Sequence, residues 1–222
     1  MDEDSQKDHL KAYGIAFWTL ENDLTVDWLL NYRGGSFLIE NQTEIEKECI
    51  VRGVSYEIIT NAYKQQLQIE LAHPESNTDI IKLEKAPKVA VYSPEGNLPW
   101  DDAVTMVLTY SEIPYDIIYD QEILSDLLPI YDWIHLHHED FTGQYGKFYA
   151  SFKNAPWYIE QKRKFEADAN KLGYSKVSTQ KLEVALKIKE FLAGGGFLFA
   201  MCSATDSYDI ALASEGLDIC EH

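Results

Sequence analysis

The sequence predicts an α/β protein built on a doubly wound, mostly parallel sheet. Three observations carry this. Short, continuously apolar runs recur at residues 88–92, 115–119, 133–137 and 197–201. Helical stretches separate them, and Gly or Pro punctuates the joins. Strands buried on both faces lose the in–out alternation of a half-exposed strand, so continuous apolar runs fit a parallel sheet. Strands alternating with helices argue for right-handed crossovers and helices over both faces. The four strands are therefore expected side by side and parallel. A ligand crevice is expected beyond their carboxyl ends.

The elements follow in order. A helix is expected over residues 5–21, with Leu10, Tyr13, Phe17 and Leu20 at helical spacing. The apolar run 26–32 reads as a buried strand ended by Gly34 and Gly35. Thr43 and Glu46 form a capping-box pattern that opens a helix to about Arg52, where Gly53 stops it. Residues 56–60 read as a short strand, and 63–85 as a helix followed by a polar connection. After the strand 88–92, a Pro/Gly-containing loop (93–98) leads into a helix over 99–110. Residues 125–130 form a short helix or turn, 141–156 an aromatic- and Gly-rich excursion. Helices are expected over 157–171 and 179–193, the second stopped by Gly194, Gly195 and Gly196, and a last helix over 206–214. The chain is read as one domain, residues 1–222, in which 1–87 and 88–222 are two portions of a single sheet. Its opening on a helix and its end at Cys220-Glu221-His222 suggest a fragment lacking a first strand and a C-terminal part.

Composition narrows the function classes. With 45% hydrophobic and 13% aromatic residues the chain can bury a sizeable core, which excludes wholesale disorder. The formal charge of -18 repels phosphate backbones, so nucleic acid and anionic membranes are not expected partners. No 18-residue apolar run offers a membrane span, and no signal segment opens the chain. The three cysteines, Cys49, Cys202 and Cys220, do not make a disulfide framework. The expected partner is a small-molecule ligand or substrate in the strand-end crevice. No cofactor is indicated.

Two constellations bear chemistry. In Ala200-Met201-Cys202-Ser203-Ala204 a cysteine sits where the last apolar strand turns into a helix, between small residues. A nucleophile elbow needs such small neighbours two before and two after the nucleophile. The following helix aims its positive end at the turn, which favours a thiolate, and the Ser203 amide is placed to donate to an oxyanion. The bland alternative is a structural thiol, because cysteine is among the most buried residue types. The second constellation is His135-Leu136-His137-His138-Glu139-Asp140 at a strand's carboxyl end. It fits an acid/base cluster beside Cys202, with His137, His138 and Glu139 as members. It also fits a metal site, or a hydrogen-bonded polar strand end. Its spacing matches no zinc signature, so no dedicated metal site is expected.

Arg33-Gly34-Gly35-Ser36 can cradle an anion with backbone amides, although a turn with an exposed arginine is the simpler reading. The aromatic segment 141–157 is either a lid or sugar-stacking surface, or packing on the sheet. Asn41-Gln42-Thr43 fits a glycosylation sequon with nothing else in support.

The elbow and its strand resemble the class I glutamine amidotransferase-like superfamily, including its ThuA-like members. The resemblance implies a flavodoxin-like three-layer fold with Cys202 as nucleophile. It differs at the elbow: the family's G-x-C-x-G carries alanine at both glycine positions here. His138-Glu139-Asp140 also stands where the family places a glycine-containing oxyanion loop. The segments His9-Leu10-Lys11-Ala12-Tyr13-Gly14 and Asp27–Phe37 are similar to bacterial proteins labelled asparagine synthetase B. Asparagine synthetases proper carry a cysteine after the initiator and an SGG-x-DS loop. This chain has Asp2 and no such loop, so ATP-dependent asparagine synthesis is not expected. The resemblance implies a cysteine-dependent amide hydrolase or amidotransferase-like activity, weak or absent in this chain, since the family's downstream His and acid have no counterpart before His222. The other expectation is a non-catalytic small-ligand or carbohydrate-binding module on the same scaffold.

Overall fold

The computed structural model describes residues 6–73, 75–94, 102–138, 145–217 and 219. The chain divides into two compact units, Met1–Ala86 with Met106–Pro114, and Pro87–Thr105 with Tyr115–His222. Among the described residues no helix is long and apolar enough to cross a membrane.

The first unit holds α1 (His9–Glu21), β1 (Val26–Leu30), β2 (Ser36–Ile39), α2 (Thr43–Arg52), α3 (Asn61–Leu71) and β3 (Asp79–Leu83). Its three strands form an antiparallel sheet in the order β2-β1-β3. This corrects the expectation of a single sheet through the whole chain. Asp8 caps α1 by accepting from the Lys11 amide. The buried face of α1 carries Ala12, Ile15, Ala16, Phe17 and Leu20, while Leu10 and Tyr13 are exposed. Gly14 lies against the Ser111 backbone, where a Cβ would stand 1.9 Å from the carbonyl oxygen. Helix α2 starts at Thr43 with Gln42 as N-cap and no side-chain cap, so the capping box is not formed. Residues 56–60 are not a strand. Strand β2 falls after the two glycines, where no element was expected, and β3 falls in the expected polar connection.

The second unit matches the expectation of a parallel sheet. It contains β4 (Val89–Tyr92), β5 (Asp116–Ile118), β6 (Trp133–Leu136) and β7 (Phe197–Ala200). All pair in parallel in the order β5-β4-β6-β7, as in flavodoxin-like folds. Helices α4 (Ala103–Tyr110), α5 (Asp120–Leu124), α6 (Tyr149–Phe152), α7 (Pro156–Lys171), α8 (Val177–Ala193) and α9 (Ser203–Ala213) intervene, α4 passing from this unit into the first. The core joins Ala90, Ile134 and Leu136 of the sheet to Ile123, Val184, Ala185, Ile188 and Ala204 of the helices. Each large aliphatic side chain there adds about 1.5–3 kcal/mol by leaving water. The central strand β4 is buried throughout. The edge strands are not, which corrects the expectation of burial on both faces: Phe197 of β7 and Ile117 of β5 are exposed. An apolar run marks a strand but does not say whether a neighbour covers it.

Candidate functional site

The carboxyl ends of β4, β6 and β7 bring together the second unit's chemically equipped residues. The strand β7 ends at Ala200, and α9 begins at Ser203 with Cys202 as its N-cap residue. Cys202 has φ 53° and ψ -135°. A side chain in this part of backbone space costs about 1–3 kcal/mol, and such strain gathers at functional sites. The turn is closed by the Ala204 amide donating to the Met201 carbonyl and the Thr205 amide to the Cys202 carbonyl. Ala204 is fully buried, which leaves the flanking position no room for a larger side chain. Cys202 itself is exposed, whereas Cys49 is buried and its thiol is pushed up by desolvation, with Glu48 adding to the effect. Cys202 therefore sits at a strand-to-helix turn between Ala200 and Ala204. The Ser203 hydroxyl donates to the His138 carbonyl at 3.2 Å and ties the elbow to the end of β6.

The histidine cluster is organised by a residue that the sequence reading did not single out, Asp102. Its Oδ1 accepts from the Val104 and Thr105 amides at 2.8 and 3.0 Å, which makes it the cap of α4. Its Oδ2 accepts from the His138 amide at 3.1 Å. His135 Nε2 lies 3.1 and 3.2 Å from the two carboxylate oxygens, and its Nδ1 lies 2.9 Å from the Phe199 carbonyl oxygen. Asp102 and His135 are 1% and 0% exposed. Burial works against the Asp102 carboxylate. The hydrogen bond from His135, the Thr105 amide, the charge of His135 and the His138 amide outweigh it and bring the group down to about 2. His138 Nδ1 stands 3.6 Å from Asp102 Oδ2. The rings of His137 and His138 lie 4.4 Å apart, centre to centre.

His137 and His138 thus stand at the strand's carboxyl end as expected, while His135 is a buried strut between β6, β7 and Asp102. Glu139 and Asp140 lie outside the described residues, as do Cys220, His222 and the first four residues. Arg33, in the first unit, takes left-handed φ and ψ of 49° and 41°, lies over the Tyr32 ring and pairs with Glu57 at 3.5 Å. That is the exposed-arginine turn. Of the aromatic segment, Phe148, Phe152 and Trp157 pack edge-on or tilted against one another, and Phe152 and Trp157 remain exposed.

A second buried network was not anticipated. Lys181 of α8 donates to both oxygens of Asp120, at 2.8 and 2.6 Å, and to the hydroxyls of Tyr92 and Tyr119. Gln180 also donates to Asp120, and Tyr92 does so at 2.6 Å. Its burial, with Asp120 beside it, pushes the Tyr92 phenol well above the usual range. The signal was present in the sequence. Val177, Lys181, Val184 and Ile188 share one face at helical spacing, and a lysine in an apolar stripe needs a buried counter-charge.

No protein-family model, curated protein or solved structure matches this chain.

Proposed function

We propose that the second unit is a class I glutamine amidotransferase-like domain in which Cys202 attacks the carbonyl of an amide substrate. The observation that carries this reading is the backbone of Cys202, strained, exposed and set between a parallel strand and a helix N-terminus. A purely structural cysteine has no use for that conformation. The neighbouring groups have matching roles. Asp102, held by three amides and His135, fixes the end of β6 through the His138 amide and sets its carboxylate 3.6 Å from His138 Nδ1, so that His138 is the residue proposed to take the thiol proton. The Ser203 amide at the start of α9 serves the oxyanion. Thiolate attack then forms a thioester and releases ammonia, and water hydrolyses the thioester. His137 lines the same strand end.

The test is covalent labelling with a glutamine-like diazoketone, 6-diazo-5-oxonorleucine, read by peptide mass spectrometry. The thiol carbon–sulfur bond forms as dinitrogen leaves. The expected adduct is at Cys202 and not at Cys49, and His138→Ala slows it by about 10²-fold, the usual share of a general base. Labelling of Cys202 no faster than of a denatured chain overturns the reading.

The second reading is a small-ligand or carbohydrate-binding module. The exposed Phe152 and Trp157 favour it, because sugars stack on open aromatic faces. Saturable binding of an oligosaccharide, lost in Trp157→Ala and kept in Cys202→Ala, would establish it over the first.

A further inference from the structure

We infer that Asp102, His137 and His138 form a binding site for a divalent first-row transition metal ion, zinc foremost. Each of the three offers one ligand atom, and these atoms lie within 4.8 Å of one another. Asp102 immediately precedes α4 and the two histidines follow β6, and the hydrogen bond from the His138 amide to Asp102 joins them. The 3.6 Å between His138 Nδ1 and Asp102 Oδ2 is too long for a hydrogen bond. It is close to the separation of two ligands on one tetrahedral zinc, ~3.3–3.5 Å when the bonds are ~2.0–2.1 Å. His138 Nδ1 is shut off from solvent and makes no hydrogen bond among the described residues. A buried imidazole nitrogen calls for a partner, and a metal ion beside Asp102 supplies one.

The surroundings are those of a ligand carboxylate. Asp102 is aimed by the Val104, Thr105 and His138 amides and by His135, the outer hydrogen bonds that orient a metal ligand. Four N–H donors already meet its oxygens. Oδ1 is filled by the Val104 and Thr105 amides and one side of Oδ2 by the His138 amide, so the ion would take the Oδ2 lone pair that His135 Nε2 now shares. Two imidazoles and one carboxylate suit zinc, cobalt or nickel, whereas magnesium and calcium prefer all-oxygen shells. Three protein ligands leave a position open for water or substrate. The local spacing did not disclose this site because the third ligand lies 33 residues before the first histidine of the cluster.

This inference does not depend on Cys202 being a nucleophile, but it bears on that role, since an ion on His138 Nδ1 takes the imidazole out of base duty. The experiment uses the full chain, untagged and stripped with chelator, titrated with zinc chloride by calorimetry and with cobalt(II) by visible absorption. The expected result is one ion per chain. His138→Ala and His137→Gln each weaken it at least 10-fold, as even outer-shell changes do ~10–100-fold. Circular dichroism verifies that the partly exposed His138→Ala variant is folded, and if it is not, His138→Gln replaces it. Cys202→Ala and His73→Ala bind as the parent does, which separates failure here from failure of the nucleophile reading. Binding well below one ion per chain, or affinity unchanged in the His137 and His138 variants, overturns the inference.

Discussion

Replacing Asp102 by Asn removes one charge and almost no volume, so it isolates the electrostatics of the cluster. Asparagine caps a helix about as well as aspartate, so the start of α4 should survive. The loss falls on the other side. The side chain has one acceptor oxygen for two groups of donors, the α4 amides and the pair formed by His135 and the His138 amide. The drop of the carboxyl from 3.8 to about 2 corresponds to about 2 kcal/mol at 1.36 kcal/mol per pKa unit. Leaving buried hydrogen-bonding groups unsatisfied costs about 1–3 kcal/mol, more where a charge is involved. A destabilisation of about 2–4 kcal/mol at pH 7 is therefore expected, with no discount for solvent because Asp102 is 1% exposed. The pH profile gives the sign. A carboxyl depressed in the folded state contributes fully above its unfolded pKa of ~3.9, and that contribution is lost as pH falls toward about 2. The parent should weaken between pH 4 and about 2 from this group, and Asp102→Asn should lack that component. Hydrogen exchange on peptides covering residues 88–92 and 133–138 reads the second unit specifically. A loss under ~0.5 kcal/mol, the range of ordinary surface substitutions, or an unaltered acid slope, would refute the account.

Other changes probe separate features. Lys181→Met should cost about 3–5 kcal/mol by leaving Asp120 charged and buried; combining it with Asp120→Leu should recover most of that in a double-mutant cycle, and simple additivity would show the pair to be uncoupled. Cys202→Gly should gain roughly 1 kcal/mol in urea unfolding by relieving the left-handed backbone, where Cys202→Ala gains nothing; equal stabilities would remove the strain argument. Gly14→Ala should lose ~1–3 kcal/mol through its collision with the Ser111 carbonyl, while Gly146→Ala, with open space around its Cβ, should stay within ~0.5 kcal/mol of the parent.

The second unit was legible because its signals are local. Four apolar runs, glycines after α8 and a cysteine between small residues each report on a few neighbouring positions. Parallel pairing follows from the helices between strands, and with it the placement of His137, His138 and Cys202 at one end of the sheet. The first unit was not, because a β-strand is defined by its partners. Ser36–Ile39 and Asp79–Leu83 become strands by pairing with Val26–Leu30, and nothing within four or five residues announces that. The same holds at the site. The sequence by itself determined the strand-to-helix turn at Cys202 and the histidines at the end of β6, since strand, turn and helix follow from adjacent residues. Only the tertiary structure decided that Asp102 joins them, that His135 is spent as a strut and that Lys181 meets Asp120. Groups buried among distant segments are selected by who their partners are once the chain has closed, and across sequence separations of 33 and 61 nothing local marks the pairing.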